Sequence, residues 1–230
     1  MLINKRVFTA EFMRRPNRFE AYVKFNEKEV IVHVPNTGRC KELLVEGSIV
    51  LLREELNPTR KTLYDLIAVY KNNRIINIDS QIPNKVVDEA LRNKKIQSLI
   101  KYNIIQREKT FGNSRFDFKL SNGFSEEYYL EVKGVTFEAD GKTMFPDAPT
   151  ERGRKHLLEL IEAKRKGFGA GVLFLIQMNN IKKFSPYDDM DKAFGETLRL
   201  ASTNGVDIFA YECEVGKSFI TLSKEVAIVL

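Results

Sequence analysis

The chain lacks most of the marks that reveal an enzyme class or a compartment at sight. Its only two cysteines, Cys40 and Cys213, lie far apart and outside any CxxC or Cys/His spacing. A disulfide framework and a zinc site of the usual ligand pattern are therefore not expected. No run of about 18 apolar residues occurs, so no helical membrane span is expected. The stretch MLINKRVFTAEFMRR is broken by charge every few residues and lacks the apolar centre of a signal peptide. A cytoplasmic protein is the expectation. GxxxxGK[ST], HExxH and GxSxG are all absent. Gly167-Phe168-Gly169-Ala170-Gly171 precedes an apolar run instead of following one, so it fails the context of a nucleotide loop. There is no internal repeat and no low-complexity segment. With no cofactor loop, a metabolic enzyme on an α/β fold is the weakest reading.

What is there is an ordinary globular composition: 230 residues, 43% hydrophobic and 30% charged, enough for one large domain or two small ones. The net charge is +6 and the pI about 9.2. The first 82 residues are the more basic part for their size. A polyanionic partner fits this excess, although many basic proteins bind no nucleic acid.

The first third reads as strands separated by turn residues: Arg18 to Phe25, Val30 to Val34, Val45 to Leu52, Leu63 to Tyr70 and Ile75 to Asp79. Five strands in this length suit a small OB-type barrel. The character changes near Ile82-Pro83. Asn84 is a possible cap for a helix carrying Val86, Val87, Ala90 and Leu91. Strands then follow at Ile104 to Thr110, Phe116 to Ser121 and Tyr128 to Thr136, with Asn122-Gly123 in the turn between the last two. Thr150 caps a predicted helix to Lys166, with Gly153 an oddity inside it. Gly171 to Gln177 and Val206 to Glu212 read as buried strands around a helix from Asp191 to Ala201. The expectation is a mixed α/β chain, with residues 1–82 a small β-barrel and residues 83–230 a mixed-sheet domain.

Chemistry concentrates between Gln106 and Gly134. Residues two apart on a strand share a face. Arg115 and Asp117 in SRFDF thus point one way, and so do Glu131 and Lys133 in YLEVKGV. If these strands form a hairpin, Asp117, Glu131 and Lys133 converge. Two close carboxylates repel and raise each other's pKa, and a hard divalent cation removes the repulsion. Mg²⁺, with Mn²⁺ as an alternative, would polarise a phosphoryl oxygen. Lys133 would orient the nucleophile or offset charge in the transition state. Glu108, nine residues before Asp117, is a candidate third ligand.

An acid, then D, then E-x-K on the next strand resembles the PD-(D/E)XK nucleases. Phe116 stands where the usual proline would be, and the literal Pro146-Asp147 reads as a decoy because no E-x-K follows it. The strings HVPNTGRCKELL, SRFDF, YLEVKGVTF and FPDAPTERGRKHLLEL resemble, in order, the sugar fermentation stimulation protein A (SfsA) family. That resemblance implies an N-terminal OB-like domain, a C-terminal nuclease-like domain and DNA binding. It also implies, in some bacteria, a proposed role in regulating sugar (maltose) metabolism.

Each reading has a plainer rival. An E-x-K on a strand is most often a solvated face, and the fold can persist without turnover. Arg152, Arg154 and Lys155 could contact phosphate from a helix N-terminus or simply solvate it. His156 could support the site or merely pack. Arg39 and Lys41 follow His33, itself either a satisfied histidine or a nucleic-acid contact. Arg14-Arg15 and Arg60-Lys61 could grip phosphate, and Tyr22 and Phe25 could stack on bases. Two functions stay in view: a Mg²⁺-dependent nuclease acting on nucleic acid, DNA above all, or a DNA-binding regulator that does not cut. A homodimer would suit a double-strand cutter.

Overall fold

The computed structural model describes residues 1–123 and 126–230. Its N-terminal part is a closed barrel of β1 (Val7–Arg14), β2 (Glu20–Phe25), β3 (Lys28–His33), β4 (Ile49–Glu54) and β5 (Tyr64–Lys71). Each consecutive pairing is antiparallel except the closing one, where β3 meets β5 in parallel at His33 and Asp65. β6 (Arg74–Asn77) extends the sheet from β5. The barrel interior is built from residues such as Ala10 and Phe12, Ala21 and Val23, and Leu66 and Val69, while Ile67 and Ala68 pack with Leu51 in a separate small cluster. β1 has no counterpart among the strands expected from sequence, because Glu11 and Arg14 interrupt its apolar pattern. These charges stand on the outer face, and the inward alternation of Phe8, Ala10 and Phe12 was the signal.

From Ile82 the chain is α/β. α1 (Ile82–Arg92) starts with proline in its first turn after Gln81, so Asn84 lies inside the helix and is not its cap. β7 (Ile104–Phe111), β8 (Ser114–Ser121) and β9 (Glu127–Val135) form an antiparallel meander. Asn122-Gly123 lies between β8 and β9 as expected, and Phe124 and Ser125 lie outside the described residues. β9 then pairs in parallel with β12 (Gly169–Ile176), and β12 with β14 (Asp207–Val215). β15 (Ile220–Glu225) closes the far edge antiparallel, giving the order β15-β14-β12-β9-β8-β7. The strand β12 is buried along nearly its whole length, as a central parallel strand covered on both faces must be.

α2 (Glu151–Arg165) and α3 (Asp188–Thr203) pack together over one face, while α1 covers the other. The apolar cluster under α2 and α3 is continuous with the barrel interior. Thr150 caps α2 as expected, accepting from Gly153 N at 3.0 Å. The chain leaves helical geometry at Asp191, whose carboxylate accepts from Phe194 N and Thr150 N at 2.9 Å each. One acid thus caps the continuing helix and holds the start of its neighbour. A small sheet not anticipated from sequence, β10 (Glu138–Ala139), β11 (Lys142–Phe145), β13 (Lys183–Pro186) and β16 (Ala227–Ile228), lies beside the main one. Cys40 and Cys213 are both buried and unpaired, and burial pushes both thiols up, Cys40 to about 12. Among the described residues, no helix is long and apolar enough to cross a membrane.

Candidate functional site

The site begins where the β8–β9 ladder ends. Backbone pairing runs from Ser121–Glu127 to Phe118–Leu130. At the next step the Asp117 carboxylate enters in place of the backbone, and its Oδ2 accepts from Val132 N at 2.8 Å. The strands part there, and Asp117, Glu131 and Lys133 line one cleft of about 590 Å³. The alternation read from sequence did bring these three together.

Support comes from both helical layers. Asn84 of α1 donates to Asp117 Oδ1 at 2.6 Å. His156 of α2 meets Glu131 Oε1 through Nδ1 at 2.5 Å. Arg152 Nε donates to the opposite ring nitrogen, Nε2, at 3.5 Å, which leaves the imidazole proton on Nδ1, facing the carboxylate. Lys133 Nζ also donates to Glu131 Oε1, at 2.6 Å. One Glu131 oxygen thus receives two donors. The other, Oε2, is buried and has no hydrogen-bond partner among the described residues.

The two carboxylates are tuned in opposite directions. Burial first, and the Glu131 charge second, push Asp117 up to about 6, against the donors Val132 N and Asn84 and the Lys133 charge. Burial also acts to raise Glu131, but His156 and Lys133 outweigh it and hold that carboxyl below its ordinary value. A divalent cation fits this arrangement: an orphaned buried carboxylate oxygen next to a second carboxylate whose charge is poorly tolerated. Among the described residues no three His, Cys, Asp or Glu side chains form a complete cage. The donor set suits Mg²⁺, which binds through one or two carboxylates and keeps several waters.

Glu108 is not brought to the cleft. It takes a φ of 53° on the edge strand β7, between the pairs Arg107–Phe118 and Lys109–Phe116. That left-handed geometry turns it out of the ladder, and its carboxylate meets Arg115 at 3.5 Å on the surface. Arg115 is thereby occupied as well. Arg152 lines the cleft, Lys155 donates to Asn113 O, and Arg154 meets no acid among the described residues. Arg39 and Lys41 are exposed without an acidic partner among the described residues.

Other expectations resolve into packing. Arg14 pairs with Glu29 and lies 3.9 Å from the Tyr22 ring centre. Phe25 packs tilted against Phe8 and edge-on with Tyr64. Arg60 is held by Asp65, and His33 Nδ1 meets the same carboxylate at 2.9 Å, a satisfied histidine.

Sequence reasoning passed over several residues of the cleft. Asn84 is expected as a cap, Gln177 as part of a strand and Pro146-Asp147 as a decoy, yet all of them line it. Asn36, Thr37 and Gly38 of the barrel form the facing wall. Gly38 is so near Asp147 that a Cβ there would stand 3.3 Å from its Oδ2. The strings HVPNTGRC and FPDAPTER are remote in sequence but meet across one cavity.

The description "SfsA N-terminal OB domain" matches residues 13–78, and "Sugar fermentation stimulation protein RE domain" matches residues 81–219. A sugar fermentation stimulation protein homolog of Clostridium tetani is 66% identical over 230 residues, covering 100% of both chains. Another from Clostridium acetobutylicum is 63% identical over the same span. A solved structure of Pyrococcus furiosus SfsA in complex with Ca²⁺ is 29% identical, covers 100% of each chain and superposes with a TM-score of 0.89.

Proposed function

The chain belongs to the sugar fermentation stimulation protein (SfsA) family, and we propose that it is a Mg²⁺-dependent nuclease whose second domain is of PD-(D/E)XK type. The observation that carries this reading is the buried Asp117–Glu131 pair beside Lys133 in the lining of the cleft, with Glu131 Oε2 buried and unpartnered among the described residues. Asp117 and Glu131 would hold Mg²⁺ or Mn²⁺. The Pyrococcus relative's complex with Ca²⁺, another hard cation bound through oxygen, supports this. The bound ion supplies Lewis-acid polarisation of a phosphoryl oxygen and a lower pKa for a bound water.

The remaining work falls to the chain. Asn84 and Val132 N fix the Asp117 carboxylate, and His156 fixes that of Glu131. Lys133, 15% exposed, presents its ammonium where charge accumulates on the phosphoryl oxygens. The barrel supplies the opposite wall and a grip on a polynucleotide, DNA in the first instance, in a cytoplasmic setting.

A second reading is a DNA-binding regulator of sugar (maltose) metabolism that does not cut. The unpartnered Arg39 and Lys41 favour binding whether or not cleavage follows. That reading gives no use to three groups arranged around a buried, charged carboxylate, and a buried charge without a task is costly.

The test is a cleavage assay on mixed DNA and RNA substrates with Mg²⁺ or Mn²⁺, against an EDTA control. Metal-dependent cleavage is expected, abolished by Glu131→Ala and reduced about 10²–10³-fold by Lys133→Ala. Binding with no cleavage of any substrate in either metal would shift the assignment to the regulator.

A further inference from the structure

A second cavity, of about 770 Å³, opens on the barrel and shares Thr37 with the carboxylate cleft. Arg14, Arg15, Arg18, Arg39 and Lys41 line it against the single acid Glu46. Two of these cations are engaged. Arg14 pairs with Glu29. Arg15 donates to the carbonyls of Arg18, Asn36, Gly38 and Arg39 at 2.6–2.8 Å. That clamp ties the β1–β2 turn to the loop after β3, the same loop that walls the cleft. It leaves Arg18, Arg39 and Lys41 exposed, without an acidic partner among the described residues. Elsewhere on the barrel Lys5 is paired with Glu55, Lys24 with Glu27, and Arg53 and Arg60 with Asp65, while Lys28 and Lys61 are exposed without an acidic partner among the described residues. Arg18 also lies 5.6 Å from the ring centre of Phe19, which is 52% exposed.

We propose that this groove is the track for one strand of a polynucleotide, leading past Thr37 into the cleft, so that the protein acts on single strands and not on intact duplex. The inference rests on the reading of the cleft as a phosphodiester site. Its physical basis is access. Glu131 is 4% exposed and Asp117 partly buried, between a wall from residues 36–38 and one from residues 146–149. The phosphates of a duplex lie on the outside of a rod with a persistence length of about 50 nm, too stiff to fold into a recess between two walls. A single strand bends in, and its bases are unstacked and available to an exposed aromatic face beside a cation. The groove supplies what the strand needs: free cations spaced along a fixed loop for phosphates, and Phe19 for a base.

The experiment is fluorescence anisotropy of the full chain in EDTA, which stops cleavage, with a thymidine 20-mer, a uridine 20-mer and a blunt duplex of the same length. The single strands are expected to bind at least about tenfold more tightly than the duplex, and the two sugars separate a DNA from an RNA substrate. The triple variant Arg18→Ala/Arg39→Ala/Lys41→Ala, checked for an unchanged unfolding midpoint, is expected to lose that affinity. Its slope of log K against log salt should fall by about two, since each single-strand phosphate contact contributes about 0.7. Equal or tighter duplex binding, or an unaltered slope in the variant, would overturn the track. A wild-type protein that selects single strands but cuts nothing in Mg²⁺ or Mn²⁺ would overturn the nuclease reading and support the track. Cleavage of intact duplex as fast as of single strands would do the reverse.

Discussion

At the scale of single residues, the site is a balance of two carboxyl groups displaced in opposite directions. Asp117 sits at about 6 because burial and the Glu131 charge both disfavour its ionised form. An acid raised in the folded state binds its proton more tightly there than in the unfolded chain. Its contribution to stability is therefore lost as pH rises from about 4 through about 6. In the absence of metal, Asp117→Asn is expected to raise the unfolding free energy near neutral pH by about 1–3 kcal/mol while removing metal-dependent cleavage. The asparagine can still accept from Val132 N. Urea unfolding in EDTA checks this, and a destabilised variant would mean that neighbouring groups already offset the Asp117 charge. This residue pair was legible in the sequence, since strand alternation alone aims Asp117, Glu131 and Lys133 at one face. Their supporting partners were not. Asn84 lies 33 residues before Asp117, and His156 lies 25 residues after Glu131, on another helix. Only packing of the helical layers brings them within reach.

At the scale of elements, two features make further predictions. Gly153 was an oddity inside a predicted helix, and the structure gives the reason. A Cβ there would stand 2.8 Å from Thr150 Cγ2 and 3.2 Å from Phe194 Cε2, so the position serves both the cap of α2 and the approach of α3. Gly153→Ala is expected to destabilise by about 1–3 kcal/mol, despite the better helix propensity of alanine, because the clash outweighs it. A thermal midpoint equal to or above that of the parent would contradict the packing argument. In the barrel, Asp65 closes the ring between β3, β4 and β5. Burial acts to raise it, but Arg60, Arg53 and His33 prevail and hold it down to about 2. A carboxyl depressed on folding stabilises at neutral pH, and that contribution is lost as pH falls from its unfolded value near about 4 through about 2. Asp65→Asn should cost about 2 kcal/mol near neutral pH and flatten the acid limb of the stability curve. An acid limb identical to that of the parent would refute the assignment. The barrel's later strands could be read from their apolar composition, while β1 was concealed by charges that belong to its outer face.

At the scale of the molecule, the cleft exists because the two parts of the chain are joined by hydrogen bonds and not only by sequence. Gln177 N donates to Val135 O at 2.9 Å, and its side chain donates to Asn77 O and Asn77 Oδ1 at 3.0 and 2.9 Å. Asn77 N returns a bond to Gln177 O. Gly134 permits this approach, for a Cβ there would stand 2.5 Å from Gln177 Oε1. Gln177→Leu would remove the side-chain donor to the buried Asn77 O, while Asn77 Oδ1 keeps Asp79 N, at a cost of about 1–3 kcal/mol. Since the side-chain tie between β6 and the segment after β12 is then lost, nucleic-acid affinity is expected to fall with stability. A variant that loses stability but binds as the parent does would show that the two walls act independently.

The sequence by itself determined the class of fold, a small barrel followed by a mixed α/β sheet, and the three chemical groups of the site. It could do so because strand periodicity, helix capping and the burial of apolar runs are local, acting over two to four residues. It could not determine the cleft. The loop at 36–38, α1, the segment at 146–149 and Gln177 are dispersed along the chain, and their meeting is an outcome of which apolar faces cover one another. The fate of Glu108 was decided in the same way. Its position nine residues before Asp117 fitted a ligand, but a left-handed residue on an exposed edge strand sends its carboxylate to Arg115 instead. Spacing along a chain fixes what can share a strand face, whereas backbone path and packing fix what shares a cavity.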